Sequence, residues 1–475
     1  MKRLIPFFVL LFAACTSPSY PGIDRPQYGG NSSKDLAIID YIDQRLETEY
    51  YWLDEVAKKC NTFDRQQPWE GYLSSVLSRL QTNLDDGYIN SKGQRVFYSY
   101  IHETQSTTRA EAMGFGIELH YTVVLTDREL GHYCFVVENI FDGSPASLAG
   151  IKRGDLIIMI NDSFITSSNY AQRFNSIQGN TAESLKLALR RQVDGSTITV
   201  ELQKGAYSET PVAHHEVIEV EGFNRKIGYL VYTGFESEYD EELLAAIAEL
   251  KASGAEELIL DLRCNSGGSL LSAQKLTSAL VPATFEDQIF CSIERNALNT
   301  KMEPRSEFRL AQTGELLSLQ RLTVICSGYT ASSSELVIMG LRGLDFPVTL
   351  IGSITEGKNC GMDVTRRTIA GISLEFAPIT FMCFNAKGVG DWGDGILPDV
   401  DLTVEGNQLG VSDENYPLPR TDWGDAHYDI ALAAAIASIT GKSVATAPYA
   451  RRQSLDAEAT LPLDRPVHGI RNYVE

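Results

Sequence analysis

The sequence predicts a multidomain α/β protein whose largest unit is built on a parallel-rich sheet. Three observations carry this. Apolar residues recur at three- and four-residue steps between Asp35 and Leu84. Strand-like runs follow between Met113 and Lys204, and from His214 onward strand and helix alternate. A length of 475 residues fits about three such units.

The chain opens on Lys2 and Arg3, then an unbroken apolar run from Leu4 to Ala14, then Cys15. The run is too short to span a bilayer as a mature helix and reads as an export signal over residues 1–15. Small residues ahead of a cysteine resemble the lipobox of bacterial lipoproteins, with Leu11 four places before the cysteine. That resemblance implies cleavage and lipidation at Cys15, and so a protein tethered to a membrane and facing the periplasm or cell surface. Residues 16–33, rich in Pro, Gly, Ser and Asn, are expected as a flexible tether. Residues 34–110 are expected as a small helical domain, with Leu36, Ile39, Ile42 and Leu46 on one stripe and Leu73, Val76, Leu77 and Leu80 on another. Its role is packing.

A formal charge of −21 excludes nucleic acid as a partner, because phosphate recognition needs clustered Lys and Arg. Seven cysteines follow Cys15, an odd number, so at least one thiol is free or intermolecular. Cys264, Cys326 and Cys383 lie in apolar runs and read as small core residues, with a Cys360–Cys383 bridge left open. His214-His215-Glu216 lacks metal-ligand spacing and reads as a strand edge; no metal or cofactor is expected.

Residues 111–206 contain Gly114-Phe115-Gly116-Ile117, strands around Tyr121–Leu125 and Cys134–Ile140, and then Ser144-Pro145-Ala146, Ala149-Gly150-Ile151 and Arg153-Gly154-Asp155 ahead of a strand ending at Ile160-Asn161. This pattern resembles a PDZ domain. The resemblance implies that a peptide is taken up as an added strand, its terminal carboxylate held by backbone N–H groups of Gly114, Phe115, Gly116 and Ile117.

Residues 207–445 carry the chemistry. Strands are expected at Ile227–Tyr232, Leu258–Leu262, Leu322–Cys326 and Val348–Gly352, with helices at Glu241–Lys251, from Gly268 to Leu280, and at Leu336–Leu341. Parallel strands place every strand-to-helix loop on one edge of the sheet. Asn265-Ser266-Gly267-Gly268, Thr330-Ala331-Ser332-Ser333-Ser334-Glu335 and the loop reaching Lys358 therefore converge. Alone, each has a bland reading: a turn, a capping box closed by Glu335, a solvated lysine. Together they suit a serine activated by a lysine base, with glycine N–H groups aimed at an oxyanion. The lysine must be neutral at working pH, a bias of roughly 4–5 kcal/mol against the ammonium that full burial can supply.

These residues, with the late Gly395-Ile396-Leu397-Pro398-Asp399-Val400, resemble the C-terminal processing (tail-specific) serine peptidases of peptidase family S41. The resemblance implies a crotonase-like catalytic core beside a PDZ domain and a helical cap. It further implies Ser332 as nucleophile, Lys358 as general base and Glu335 as the supporting acid, with Gly267, Gly268 and Ser333 at the oxyanion hole. Ser353, Glu356 and Asn359 depart from the usual lysine loop, and Glu356 is expected to face solvent. The implied activity is endoproteolysis of unfolded or C-terminally recognised polypeptides. The alternative is a degenerate relative that binds peptide tails, or serves as an envelope scaffold, without cutting. The final residues, 446–475, carry few signals.

Overall fold

The computed structural model describes residues 32–446, apart from 91–92, 105–111, 179–180, 300, 312–316, 405–406, 410–411, 413–415 and 417, and also 460–463 and 470–473. Cys15 and the tether up to residue 31 lie outside the described residues.

The helix Ser33–Thr48 starts where Ser32 Oγ accepts the Asp35 N–H at 3.1 Å. It buries Ile38, Ile39, Ile42 and Leu46 against Trp69, Tyr72, Leu73 and Val76 of the helix Trp69–Leu77. Beyond residue 78 the expectation of a purely helical unit fails. The strand Tyr100–Glu103 pairs antiparallel with Ile372–Ala377, and the helices share a core with Met362, Leu374, Phe376 and Ile379. The N-terminal segment is therefore one wall of the C-terminal half of the chain. No local sequence pattern announces a pairing across some 270 positions.

Residues 117–203 form an antiparallel sheet of Thr122–Asp127, His132–Ile140, Leu156–Ile160, Ser184–Arg190 and Thr197–Gln203, with the short strand Ile117–Leu119 beside His132–Ile140. The helix Tyr170–Ile177 closes its core over Phe115, Phe135, Ile157 and Leu187.

The main sheet runs Val212–Ile218, Lys226–Tyr232, Ala255–Asp261, Leu322–Cys326, Val348–Gly352, Val400–Asp401. Its first pair is antiparallel and the rest are parallel. The strands read as continuous apolar runs because both faces are covered. Asp240–Ala252, Leu270–Leu280 and Ser333–Gly343 pack on one face, and Ile430–Thr440 packs on the other. His214 and His215 sit on the edge strand, as expected, where His215 meets Glu249 at 2.9 Å. A second sheet joins Ile289–Arg295, Arg305–Arg309, Cys360–Ile369, Ile372–Ala377 and Ile379–Asn385.

The tail adds two strands, Thr460–Pro462 against Thr122–Val124 and Ile470–Tyr473 parallel to Gly361–Val364. Cys360 and Cys383 are buried free thiols, with no bridge between them.

A buried charge cluster fixes the exit of the strand Ala255–Asp261. Arg263 donates to both Asp261 oxygens and to Asp429 Oδ1 at 3.0 Å, and Asp429 Oδ1 in turn accepts the Ala431 and Leu432 N–H groups. Arg263→Met leaves two carboxylates buried without their cation, and is expected to cost about 3–5 kcal/mol in chemical denaturation.

Candidate active site

Ser332 occupies the turn between the strand Leu322–Cys326 and the helix Ser333–Gly343, at φ 60° and ψ −116°. A non-glycine residue held there stores about 1–3 kcal/mol of strain, and its surroundings must over-determine it. They do. The Ser332 N–H donates to Glu335 Oε2 at 2.8 Å, the Leu336 N–H donates to the Ser332 carbonyl at 2.8 Å, and the Ala331 N–H donates to the Asn265 carbonyl at 3.2 Å. The Ser332 side chain is fully buried, and its Oγ has no hydrogen-bond partner. Such a sharp strand-to-helix turn presents a hydroxyl forward of the sheet edge, beside the first free N–H groups of the helix.

The glycine loop lies against it. A Cβ on Gly267, whose φ is +102°, would stand 2.7 Å from Ser332 Cβ and 3.0 Å from Ser332 Oγ. The Gly267 N–H is committed to Asn265 Oδ1 at 2.9 Å. Ser333 Oγ donates to the Gly268 carbonyl at 2.8 Å, tying the two loops together. Gly267 supplies the close approach to the hydroxyl, and Gly268 is held beside the serine turn through its carbonyl.

Glu335 joins the serine turn to the lysine loop. Its buried carboxylate accepts the N–H groups of Ser332 and Lys358 on Oε2, both at 2.8 Å, and the Gly357 N–H (2.7 Å) and the Thr355 hydroxyl (2.5 Å) on Oε1. The helix cap and the cross-link between the two loops are the same carboxylate. Burial pushes its carboxyl up to about 7, against the pull of these four donors.

Lys358 is 1% exposed, and its Nζ lies 3.9 Å from the centre of the Tyr98 ring. No hydrogen bond joins it to Ser332 Oγ in this conformation, a distance that catalytic pairs often close only with substrate in place. The two residues nevertheless hang their backbones on one oxygen atom. Glu356 departs from expectation: it is half-buried and accepts the Tyr98 hydroxyl at 3.2 Å, because the lysine loop packs on the N-terminal segment. Asp86 and Tyr98 belong to this site and carried no sequence motif.

Two cavities border the glycine loop. One, of about 140 Å³, separates Leu119, His120 and Tyr121 from Cys264, Ser266 and Tyr329. The other, about 340 Å³, passes Ser266 and Gly267 and is lined by Glu118, Glu209, Glu236 and Glu238. Burial pushes Glu118 up to about 7 and holds the His120 imidazole below its ordinary value, hence neutral. Cys264 is not a core filler. Burial, and then Glu138, keeps its thiol protonated, and it donates to Glu138 Oε1 at 3.0 Å. In the Gly114–Ile117 loop, Phe115 and Ile117 are buried, and a Cβ on Gly116 would overlap Ser144 at 2.1 Å. On the adjoining strand the Leu119 N–H donates to Gln178 Oε1 at 3.1 Å.

Known proteins resemble this chain in sequence and in fold. The model of peptidase family S41 matches residues 226–402. A carboxy-terminal processing protease of Bacillus subtilis is 30% identical over 60% of this chain and 55% of its own length. A chloroplastic carboxyl-terminal-processing peptidase of Arabidopsis thaliana is 25% identical over 45% and 42%. The chain thus aligns with about half the length of these curated relatives. A solved Bacteroides fragilis chain assigned to the S41 proteases superposes with a TM-score of 0.65, covering 88% of this chain and 99% of that one at 21% identity, which shows a shared fold. Residues 226–402, the segment that holds Ser332, Glu335 and Lys358, thus match peptidase family S41.

Proposed function

We propose that the chain is a serine endopeptidase of the C-terminal processing type, acting through a Ser332–Lys358 dyad on a crotonase-like core. One observation carries the reading: Ser332 is strained, buried and unpartnered, and its N–H shares Glu335 Oε2 with the N–H of Lys358. In the first half-reaction the neutral Lys358 amine takes the Ser332 hydroxyl proton while Oγ bonds to the scissile carbonyl carbon. The Gly268 and Ser333 N–H groups receive the resulting oxyanion. Collapse breaks the C–N bond, the Lys358 ammonium returns its proton to the leaving amine, and an ester on Ser332 remains. Water then repeats the sequence and releases the acid. Digestion of an unfolded protein such as casein tests this; a chain that holds casein intact is the peptide-binding alternative instead.

Gly267→Ala places a methyl group within contact of the nucleophile and is expected to lower kcat by 10²-fold or more with little change in substrate binding. The PDZ-like reading of residues 111–206 supplies the polypeptide. The Gln178 amide oxygen occupies the Leu119 N–H, a position where an added strand would place a carbonyl. Gln178→Ala is expected to tighten binding of tail peptides several-fold in calorimetry, and Gly116→Val to abolish it. We extend the proposal to lipid attachment at Cys15 after export, which mass measurement of the mature N-terminus checks.

A further inference from the structure

We propose that Tyr98 is a positioning residue for Lys358, holding the protonated amine against its ring face and off Ser332 until the proton is given up to solvent. This rests on the Ser332–Lys358 reading. The N-terminal segment would then act on the chemistry as well as on packing.

Tyr98 is 4% exposed, and it is locked from three sides. Its N–H and that of Ser99 donate to Asp86 Oδ1 at 3.1 and 2.8 Å. Ser99 Oγ donates to Asp86 Oδ2 at 2.7 Å and accepts the Ile379 N–H at 2.9 Å, which fastens the turn to the second sheet. The Tyr98 hydroxyl donates to Glu356 Oε1, two residues before the lysine. The ring face is thereby fixed under Nζ. An aromatic face attracts a cation and offers nothing to a neutral amine. Deprotonation removes the hold, and the same event creates the lone pair that Ser332 needs.

The charged and titratable groups around the amine come from every wall. Tyr98 and Asp86 approach from the N-terminal segment and Cys360 from the strand that follows, while Glu335 holds the Lys358 backbone N–H and Glu356 the Tyr98 hydroxyl. The fully buried Asp86, pushed up by burial and drawn down by its donors and by Lys358, favours the ammonium. Burial opposes it. Tyr98 tips the balance between these, which makes it a control on the acid limb of activity.

The test compares Tyr98→Phe, which keeps the ring, with Tyr98→Leu and Tyr98→Met, which fill the space without a π face. Two readouts are needed on the full chain: the pH profile of kcat/KM for an unfolded substrate, and NMR titration of ¹³C-labelled lysine, with Lys358 assigned by its loss in Lys358→Arg. The expected result is that Leu and Met move both the acid limb and the Lys358 titration down by about one pH unit, while Phe leaves both in place. Tyr98→Phe moving as far as Leu, or no variant moving the titration, overturns the proposal. If the titration moves while the acid limb stays, it is the Ser332–Lys358 reading that falls. If Leu fails to fold, Met and Phe still decide.

Discussion

Ser332→Ala is expected to lower kcat/KM for an unfolded polypeptide by about 10⁴-fold or more while leaving the denaturation curve nearly unchanged. Members of a nucleophile–base unit act together, so the loss should match that of Lys358→Ala, and the double variant should be scarcely worse. The two differ in stability. The serine hydroxyl has no hydrogen bond to lose, whereas truncating Lys358 opens a cavity against Tyr98. Rates that fall for Ser333→Ala or Ser334→Ala but not for Ser332→Ala would move the nucleophile. That outcome opposes the geometry, since Ser333 Oγ and Ser334 Oγ already donate to the Gly268 and Asn265 carbonyls.

Glu335→Ala is expected to be the most damaging single change to this site. It strands the N–H groups of Ser332, Gly357 and Lys358 in a fully buried pocket. Each unsatisfied donor costs about 1–3 kcal/mol, so a total of about 3–5 kcal/mol is expected once partial relaxation is allowed for. Activity should fall with it, because the strained Ser332 turn loses the group that holds it. The wild-type carboxyl also sets a pH trend. Its folded value of about 7 stands above the unfolded value, so the folded state binds the extra proton. Stability from this group is therefore fully present below the unfolded carboxyl range and is lost as pH rises towards 7. Glu335→Gln removes that slope, which denaturation of both proteins at several pH values would show.

Much of this was legible in the sequence because the main sheet is covered on both faces. Leu322–Cys326 and Val348–Gly352 read directly as strands, and parallel connections then gather the Gly267, Ser332 and Lys358 loops at one edge. Spacing also singled out Glu335, though not that one carboxylate would bind both loops. What escaped is non-local. Asp86 and Tyr98 reach Lys358 only because Tyr100–Glu103 pairs with a hairpin near the other end of the chain. Tyr98 likewise turned Glu356 inward, where local composition suggested solvent. Cys264 looked like a core residue beside Leu262, yet the strand ends at Asp261 and the thiol turns towards Glu138 in the cleft.

The most direct measurement is covalent trapping. The intact protein is treated with an aryl fluorophosphonate, weighed, and digested to locate the adduct. The account predicts one phosphonyl group per chain on Ser332, absent in Ser332→Ala and strongly slowed in Lys358→Ala. Casein cleavage that persists while Ser332 remains unlabelled, or an adduct found on another serine, would contradict it.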